Sequence, residues 1–306
     1  MAASSTKFKP NLLIIGSPYW SNYLICAFNE RSSIRAHGLR SFWVWLTKRN
    51  KAVCLVGLGP PDNFKRKAFY LLTNFLFVSR IIKLKAIYWI GTDVTRLKQG
   101  CNTISGFYNF AGSPWLAQEI SDLGYQCSIC YFPVRLDLNE NYTWPISDQL
   151  TVLCYVPDHA HQLHGSNEIL YLAKEFPNVQ FNVVGGTGCW CKQSFGNLAF
   201  LGWCKDVKSR INESHILLRR TTHDSFSAFV REGLAANRYV IFSYEVPGVI
   251  HVKSGDFSVL YHEFSKIATA FELGDLKPKN NRKAKALLDY ESQMHDIENI
   301  FLKTYE

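Results

Sequence analysis

No stretch of this 306-residue chain offers eighteen consecutive apolar residues, the length a helix needs to cross a bilayer, so a transmembrane helix is not expected. The nearest approach, Ala68–Ile82, is interrupted by Thr73, Asn74, Ser79 and Arg80 and reads as a buried or surface-lying helix. A secretion signal is not expected either. Met1 to Pro10 is polar with two lysines, and the apolar run Leu12–Ile15 has only four residues, the size of a strand. The cysteines lack a framework: nine is an odd count without repeating spacing, which suits reduced thiols in a cytoplasmic setting, with peripheral attachment to a membrane left open. Cys127 and Cys130 lie three apart in an expected strand and face opposite ways, while Cys189, Cys191 and Cys204 lack paired zinc spacing. No metal site is expected, and these thiols read as packing residues. Neither a fixed-period repeat nor a low-complexity segment occurs.

Acidic residues are scarce in one half only. The formal charge is +9, and residues 1–150 carry all of the excess, with 17 Lys+Arg against 8 Asp+Glu; residues 151–306 balance at 17 against 17. Within Lys65–Lys98, Lys65, Arg66, Lys67, Arg80, Lys83, Lys85, Arg96 and Lys98 meet one acid, Asp93. Such a concentration suits a phosphate-bearing partner: an anionic membrane, a lipid-linked phosphate or a nucleic acid. A solvated basic face with no partner is the plain alternative.

What the chain does have is a substantial apolar content, 47%, arranged in alternating elements. Short apolar runs read as buried parallel strands: Asn11–Gly16, Phe42–Leu46, Ala52–Leu58 (closed by Gly59-Pro60-Pro61), Lys85–Ile90 and Cys127–Phe132. Helices are expected at Trp20–Phe28, Phe64–Ile82 and Ser113–Leu123, the last with a serine cap and proline at its first position. Residues 138–149 are polar and aperiodic, a hinge. The pattern then restarts with strands Leu150–Val156, Val179–Val184, Leu198–Leu201, His215–Arg219 and Tyr239–Ser243. Helices Ser166–Phe176, Asp206–Glu213, Phe226–Ala236 and Phe264–Leu273 alternate with them, and Asn281–Leu302 reads as one long terminal helix. The expected division is 1–137 and 150–275 as two Rossmann-like domains facing across a cleft, with 276–306 a helical tail packing back toward the first.

The chemically informative stretch is His215–Gly248. A strand runs into the turn Thr221-Thr222-His223-Asp224-Ser225, then into a helix from Phe226, with Asp224 or Ser225 expected to cap it. A helix start at a strand's carboxyl end suits phosphate, because its free amides donate and its dipole favours negative charge. Arg219 and Arg220 stand just upstream and are expected to add formal charge.

Asp224, seven residues and then Glu232, followed by Gly233-Leu234-Ala235-Ala236, the strand from Tyr239 and Pro247-Gly248, resembles the Glu-x7-Glu unit of group 1 glycosyltransferases, the retaining GT-B family. Eight residues on a helix span about 12 Å and return to within about 80° of one face, matching a folded nucleotide sugar. The resemblance implies an α/β GT-B architecture and a nucleotide-sugar donor, UDP- or GDP-linked, with no cofactor and no metal. It implies that Glu232 accepts from ribose hydroxyls, and that Asp224, one methylene shorter than the family's glutamate, meets the transferred sugar. His164-Gly165 stands where the family has Lys-Gly, and Val156-Pro157-Asp158-His159 where it has an arginine. Gly185-Gly186-Thr187-Gly188 resembles its glycine turn, and Leu201-Gly202-Trp203 its later aromatic turn near the base. His223, Ser225, Phe226 and Ser227 complete the donor-side candidates, together with Gly16 and Ser17 of the first loop.

The first half resembles the family less. Asp93 stands after the fourth strand where many relatives have a histidine; it is either a base or acceptor-orienting group, or a carboxylate bonded to loop amides. Tyr19, Trp20, Thr92, Ser113 and Trp115 are acceptor-side candidates, Trp115 being equally readable as core. The implied reaction is glycosyl transfer to a glycan or lipid-linked hydroxyl. A hydroxylated DNA base, a non-catalytic sugar-nucleotide or polyanion binder, and another sugar-nucleotide reaction such as epimerisation remain alternatives.

Overall fold

A computed structural model of the chain describes residues 10–59, 64–98, 104–136 and 142–305. The polar start before Pro10, the Pro60-Pro61 breaker and residues 137–141 of the expected domain boundary and hinge lie outside these. Strand after strand is apolar on both faces, which demands a parallel sheet covered by helices on each side. Two units meet that demand: Met1–Val134 with Asp224–Phe226 and Tyr290–Glu306, and Arg135–His223 with Ser227–Asp289.

In the first unit, strands β1 (Asn11–Gly16), β2 (Arg35–His37), β3 (Lys51–Val56), β4 (Leu84–Trp89), β5 (Tyr108–Ala111) and β6 (Cys127–Ile129) form one sheet in the order β2-β1-β3-β4-β5-β6. Every pairing is parallel. Helices α2 (Phe42–Leu46), α3 (Phe64–Val78) and α4 (Pro114–Asp122) cover one face, where Trp45, Tyr70, Leu76, Leu116 and Ile120 join Leu13, Val53, Leu55 and Ile87 in a single cluster. α1 (Pro18–Arg31) and the last helix, α10 (Tyr290–Tyr305), pair through Phe28 and Phe301, ring centroids 5.9 Å apart, and through the bonds of Ser33 to Glu298.

The second unit repeats the plan with β7 (Thr151–Tyr155), β8 (Gln180–Val184), β9 (Leu198–Gly202), β10 (Ile216–Arg219), β11 (Tyr239–Phe242) and β12 (Ile250–His251), in the parallel order β12-β11-β10-β7-β8-β9. α5 (Ser166–Glu175) and α8 (Phe257–Glu272) bury Ile169, Leu172, Leu260 and Phe264 against its core. α6 (Val207–Asn212), α7 (Ala228–Ala235) and α9 (Lys285–Leu288) complete it.

Several expectations are corrected. Phe42–Leu46 is a helix: Phe42, Trp45 and Leu46 turn inward while Trp43 and Val44 are exposed, the spacing of a helical turn that an unbroken aromatic run conceals. The short strands β2, β5 and β12 were not anticipated, since two to four residues carry little periodicity. α8 begins seven residues before the expected Phe264, capped by the Asp256 carboxylate, which accepts from the Val259 amide at 3.0 Å. Asn281–Leu302 is not one helix, because Asp289 takes extended dihedrals (φ −69°, ψ 107°) between α9 and α10. Cys189 is exposed, and Cys191 and Cys204 are only partly covered, so these thiols do not fill the core.

Gly16 ends β1 where a Cβ would lie 2.1 Å from the Val56 carbonyl oxygen, so the two central strands close together only without a side chain there. Gly16→Ala is expected to lower stability by about 1–3 kcal/mol in chemical denaturation. Gly196→Ala, around which nothing lies within 4 Å, should leave the midpoint unchanged.

Candidate functional site

In an open parallel sheet, ligands bind beyond the strand carboxyl ends where the strand order reverses. In the second unit that point lies between β7 and β10, which are neighbours although two strands separate them in sequence. The residues there form an aromatic and cationic group. The Arg219 guanidinium sits 5.1 Å from the centroid of Tyr155, the last residue of β7. Tyr155 meets His164 edge-on at 5.6 Å and Phe229 of α7 at 6.4 Å.

His164 does not replace the charge of the family's lysine. Burial, with the nearby positive Arg219 and His159, pushes its pKa down to about 3, so the imidazole is neutral at physiological pH. Its Nδ1 is buried with no hydrogen-bond partner among the described residues. What it offers is a neutral ring that donates or accepts one hydrogen bond.

The paired arginines separate. Arg220 is fully buried and donates to Glu168 Oε1 through Nε (3.0 Å) and Nη2 (2.7 Å), and to the carbonyls of Val252 and Lys253. Glu168 Oε1 also accepts from the Gly255 amide at 3.1 Å. Arg220 is therefore a clamp joining α5, β10 and the segment after β12, not a charge offered to a diphosphate. Gly165 makes this possible: at φ +69° its missing Cβ would lie 2.3 Å from the Arg220 Cβ.

The glycine turn after β8 is held from within. Asp158 accepts from the Thr187 amide (2.8 Å), its hydroxyl (2.9 Å) and the Gly188 amide (3.0 Å), which keeps the carboxyl below its ordinary range. Gly186 passes so close that a Cβ would fall 2.6 Å from the Val156 oxygen. Asp158 thus occupies amides that a phosphate would otherwise take. In the later turn, both Leu201 and Trp203 are exposed.

After β10, the Thr221 amide donates to Ser243 Oγ at 2.9 Å and the Thr221 hydroxyl to the His223 carbonyl at 3.0 Å. The cap of α7 is Ser227, not Asp224 or Ser225, and Ser227 makes no side-chain cap bond. The N-cap side chain thus supplies no acceptor for the first amides of the helix, an arrangement that suits an anion. Asp224 lies four residues before α7, so the helical distance and arc reasoned for the Asp224–Glu232 pair do not apply. Glu232 itself is partly buried in mid-helix. Desolvation pushes its carboxyl up to about 7, and among the described residues no side chain or amide bonds to that carboxylate.

The first unit has its own switch point between β1 and β3. Gly16 and Ser17 stand there, the Ser17 amide bonded to the Val56 carbonyl at 3.3 Å. Tyr19 is exposed, and Trp20 meets it at 4.8 Å and Phe132 at 4.9 Å, both edge-on. After β4, Asp93 accepts from the amides of Gly91 (2.8 Å) and Ile90 (3.1 Å). Desolvation nevertheless outweighs those bonds and pushes it up to about 7. Thr92 is exposed. Ser113 is fully buried at the start of α4 with no partner for its hydroxyl among the described residues.

Asp224–Phe226 groups with this unit. The Trp115 indole donates to the Asp224 carbonyl at 2.7 Å, so this ring anchors backbone instead of standing open as an acceptor platform. Ser225 lies against the β5–α4 turn, where a Cβ on Gly112 would reach within 2.7 Å of its hydroxyl, and Phe226 meets Tyr131 edge-on at 5.9 Å. Ser225 N–H donates to the Asp224 carboxylate at 2.9 Å. Tyr155, Phe229, Glu168, Asp158 and Gly112 were missed in the sequence. Tyr155, as the last residue of the restarting strand, was the one with a readable position.

Two doubly wound parallel α/β units in one chain, with the terminal helix grouped with the first, make the GT-B fold. Solved structures share it at full length. The chain is similar to the Anabaena protein HepE solved with UDP, at 13% identity over 96% of this chain and 99% of that one, with a TM-score of 0.67. It is similar to a glycosyltransferase from Rickettsia africae at 11% identity (97% and 98% covered, TM-score 0.65). The lipopolysaccharide outer core galactosyltransferase WaaB is similar at 12% (96% and 98%, TM-score 0.60). No family model matches the chain, and no curated protein sequence matches it.

Arg220→Ala leaves the Glu168 charge buried without its partner and is expected to cost about 3–5 kcal/mol in urea unfolding. Arg210→Ala, which removes the exposed 2.8 Å pair with Glu213, should cost less than about 1 kcal/mol.

Proposed function

We infer that the chain transfers a glycosyl group from a uridine diphosphate sugar to an acceptor hydroxyl, with retention and without a divalent metal. Glu232 carries this reading. A partly buried carboxylate pushed up to about 7, with no bonding partner among the described residues, is unfavourable in the unliganded protein, and two ribose hydroxyls would satisfy it. The uncapped first turn of α7 and Arg219 suit the diphosphate, since amides and a guanidinium stabilise the charge that develops as the sugar leaves. Tyr155 and the neutral His164 line the same switch point and contribute shape and one hydrogen bond, not charge.

The resemblance assigns Asp224 to hydroxyls of the transferred sugar. Asp93, near 7, is suited to orient or deprotonate an acceptor hydroxyl. Uridine is preferred over guanosine because HepE, similar along its whole length, was solved with UDP and with UDP-glucose. The acceptor is a glycan or lipid-linked hydroxyl.

Saturating UDP should raise the unfolding temperature, about 2.7 kcal/mol of stabilisation being available at one hundred times Kd. Glu232→Gln is expected to lose most of that shift, and turnover of radiolabelled UDP-glucose or UDP-galactose should fall at least tenfold. A Gln variant that keeps the full UDP shift removes Glu232 from the site. A wild type that binds UDP but hydrolyses or transfers nothing identifies a binding protein.

The pH dependence has a definite sign. The folded Glu232 holds its proton up to about 7, above its ordinary 4.5, so the folded state binds more protons in that window. Its contribution is fully present below about 4.5 and is lost as pH rises through 7. Unliganded Glu232→Gln should therefore match the wild type at pH 5 and be more stable at pH 8, read by denaturant midpoints at both values.

A further inference from the structure

α3 carries apolar side chains on its solvent side. Phe64 is 85% exposed, Leu71 67%, Phe75 63% and Val78 80%. With the exposed Ala68 they repeat at helical spacing and lie within an arc of about 80° along about 22 Å of helix. The opposite side of the same helix, through Tyr70, Thr73 and Leu76, is the one that meets the core. A contiguous apolar stripe of this kind on the surface marks a contact site. α2 packs on the same sheet face, Trp45 joining the cluster of Tyr70, and it exposes Trp43 (78%) and Val44.

Lys65 and Lys67 flank the stripe on either side of the helix. Arg40, Arg49, Lys65, Lys67 and Arg80 are all exposed, and the only acid between Arg31 and Thr92 in the sequence is Asp62, outside the described residues. We propose that the outer stripe of α3, with Trp43 and Val44 of α2, seats the first unit on an anionic lipid surface. The apolar side chains enter the boundary between head groups and acyl chains, and the cations meet lipid phosphates. No helix among the described residues is long and apolar enough to cross a membrane, so α3 lies along the surface.

Charge decides between occupants. A second copy of this chain would bring the same five cations against themselves, a repulsive pairing. A nucleic-acid backbone would use the cations and leave the phenylalanine, leucine and valine row without a counterpart. An anionic bilayer matches both parts.

The test is flotation of the full chain with vesicles of phosphatidylcholine alone or mixed with phosphatidylglycerol. Wild type should partition at least tenfold more strongly into the anionic vesicles. Leu71→Ser/Phe75→Ser/Val78→Ser should reduce that binding tenfold or more at both low and high salt, with an unchanged unfolding midpoint because these side chains are exposed. Lys65→Glu/Lys67→Glu should reduce it at low salt only. Absence of wild-type binding, or a triple serine variant that binds like wild type, overturns the proposal. So does a dimer in sedimentation velocity that the serine substitutions dissolve, or salt-dependent duplex binding without vesicle binding. None of these outcomes depends on donor binding, which is read separately by the UDP shift.

Discussion

Burial of two parallel sheets on both faces is the constraint from which the rest follows. Central strands such as Leu84–Trp89 are covered along their whole length, so their side chains are closed to a ligand. Polar chemistry is confined to the loops at the strand carboxyl ends, and most of all to the two points where strand order reverses. That confinement gathers Tyr155, His164 and Arg219 from three separate segments in the second unit, and Gly16 and Ser17 beside Val56 in the first.

Within those loops neighbouring polar groups take different surroundings. Arg220 and Glu168 are consumed by each other and by backbone carbonyls; Asp158 is consumed by the turn at Thr187 and Gly188. Arg219 lies on the face of Tyr155, and the Glu232 carboxylate is desolvated with no hydrogen-bond donor on it among the described residues. Adjacent arginines with the same intrinsic chemistry thereby acquire different neighbours. The direction each side chain takes from the end of β10 makes the difference, since alternate residues of a strand point to opposite faces.

Much of this architecture was legible. The alternation of short apolar runs with amphipathic segments identified most of the strands and helices on either side of the polar 138–149 stretch to within four residues, for example Ser166–Glu175 and Gln180–Val184. Failures came where periodicity was too short to read or where aromatic composition outweighed spacing, as at β2, β12 and Phe42–Leu46. The break at Asp289 had no local signal, because the flanking residues are all competent helix formers. The segment Asp224–Phe226 was read as the start of a helix. Its backbone is instead held by Trp115 and the glycine turn at Gly112, more than a hundred residues away.

By itself the sequence determined that the chain is two alternating α/β halves, that its positive charge belongs to the first, and that a carboxylate, two arginines and a helix start crowd one strand end. Those are properties of order, composition and spacing, which a linear text carries. Only tertiary structure decided which arginine is enclosed by a buried acid, that His164 is neutral, that burial raises the Glu232 carboxyl, and that the apolar side of α3 faces water. Each of those depends on what packs nearby from distant parts of the chain, because desolvation and pairing are set by neighbours in space and not by neighbours in sequence.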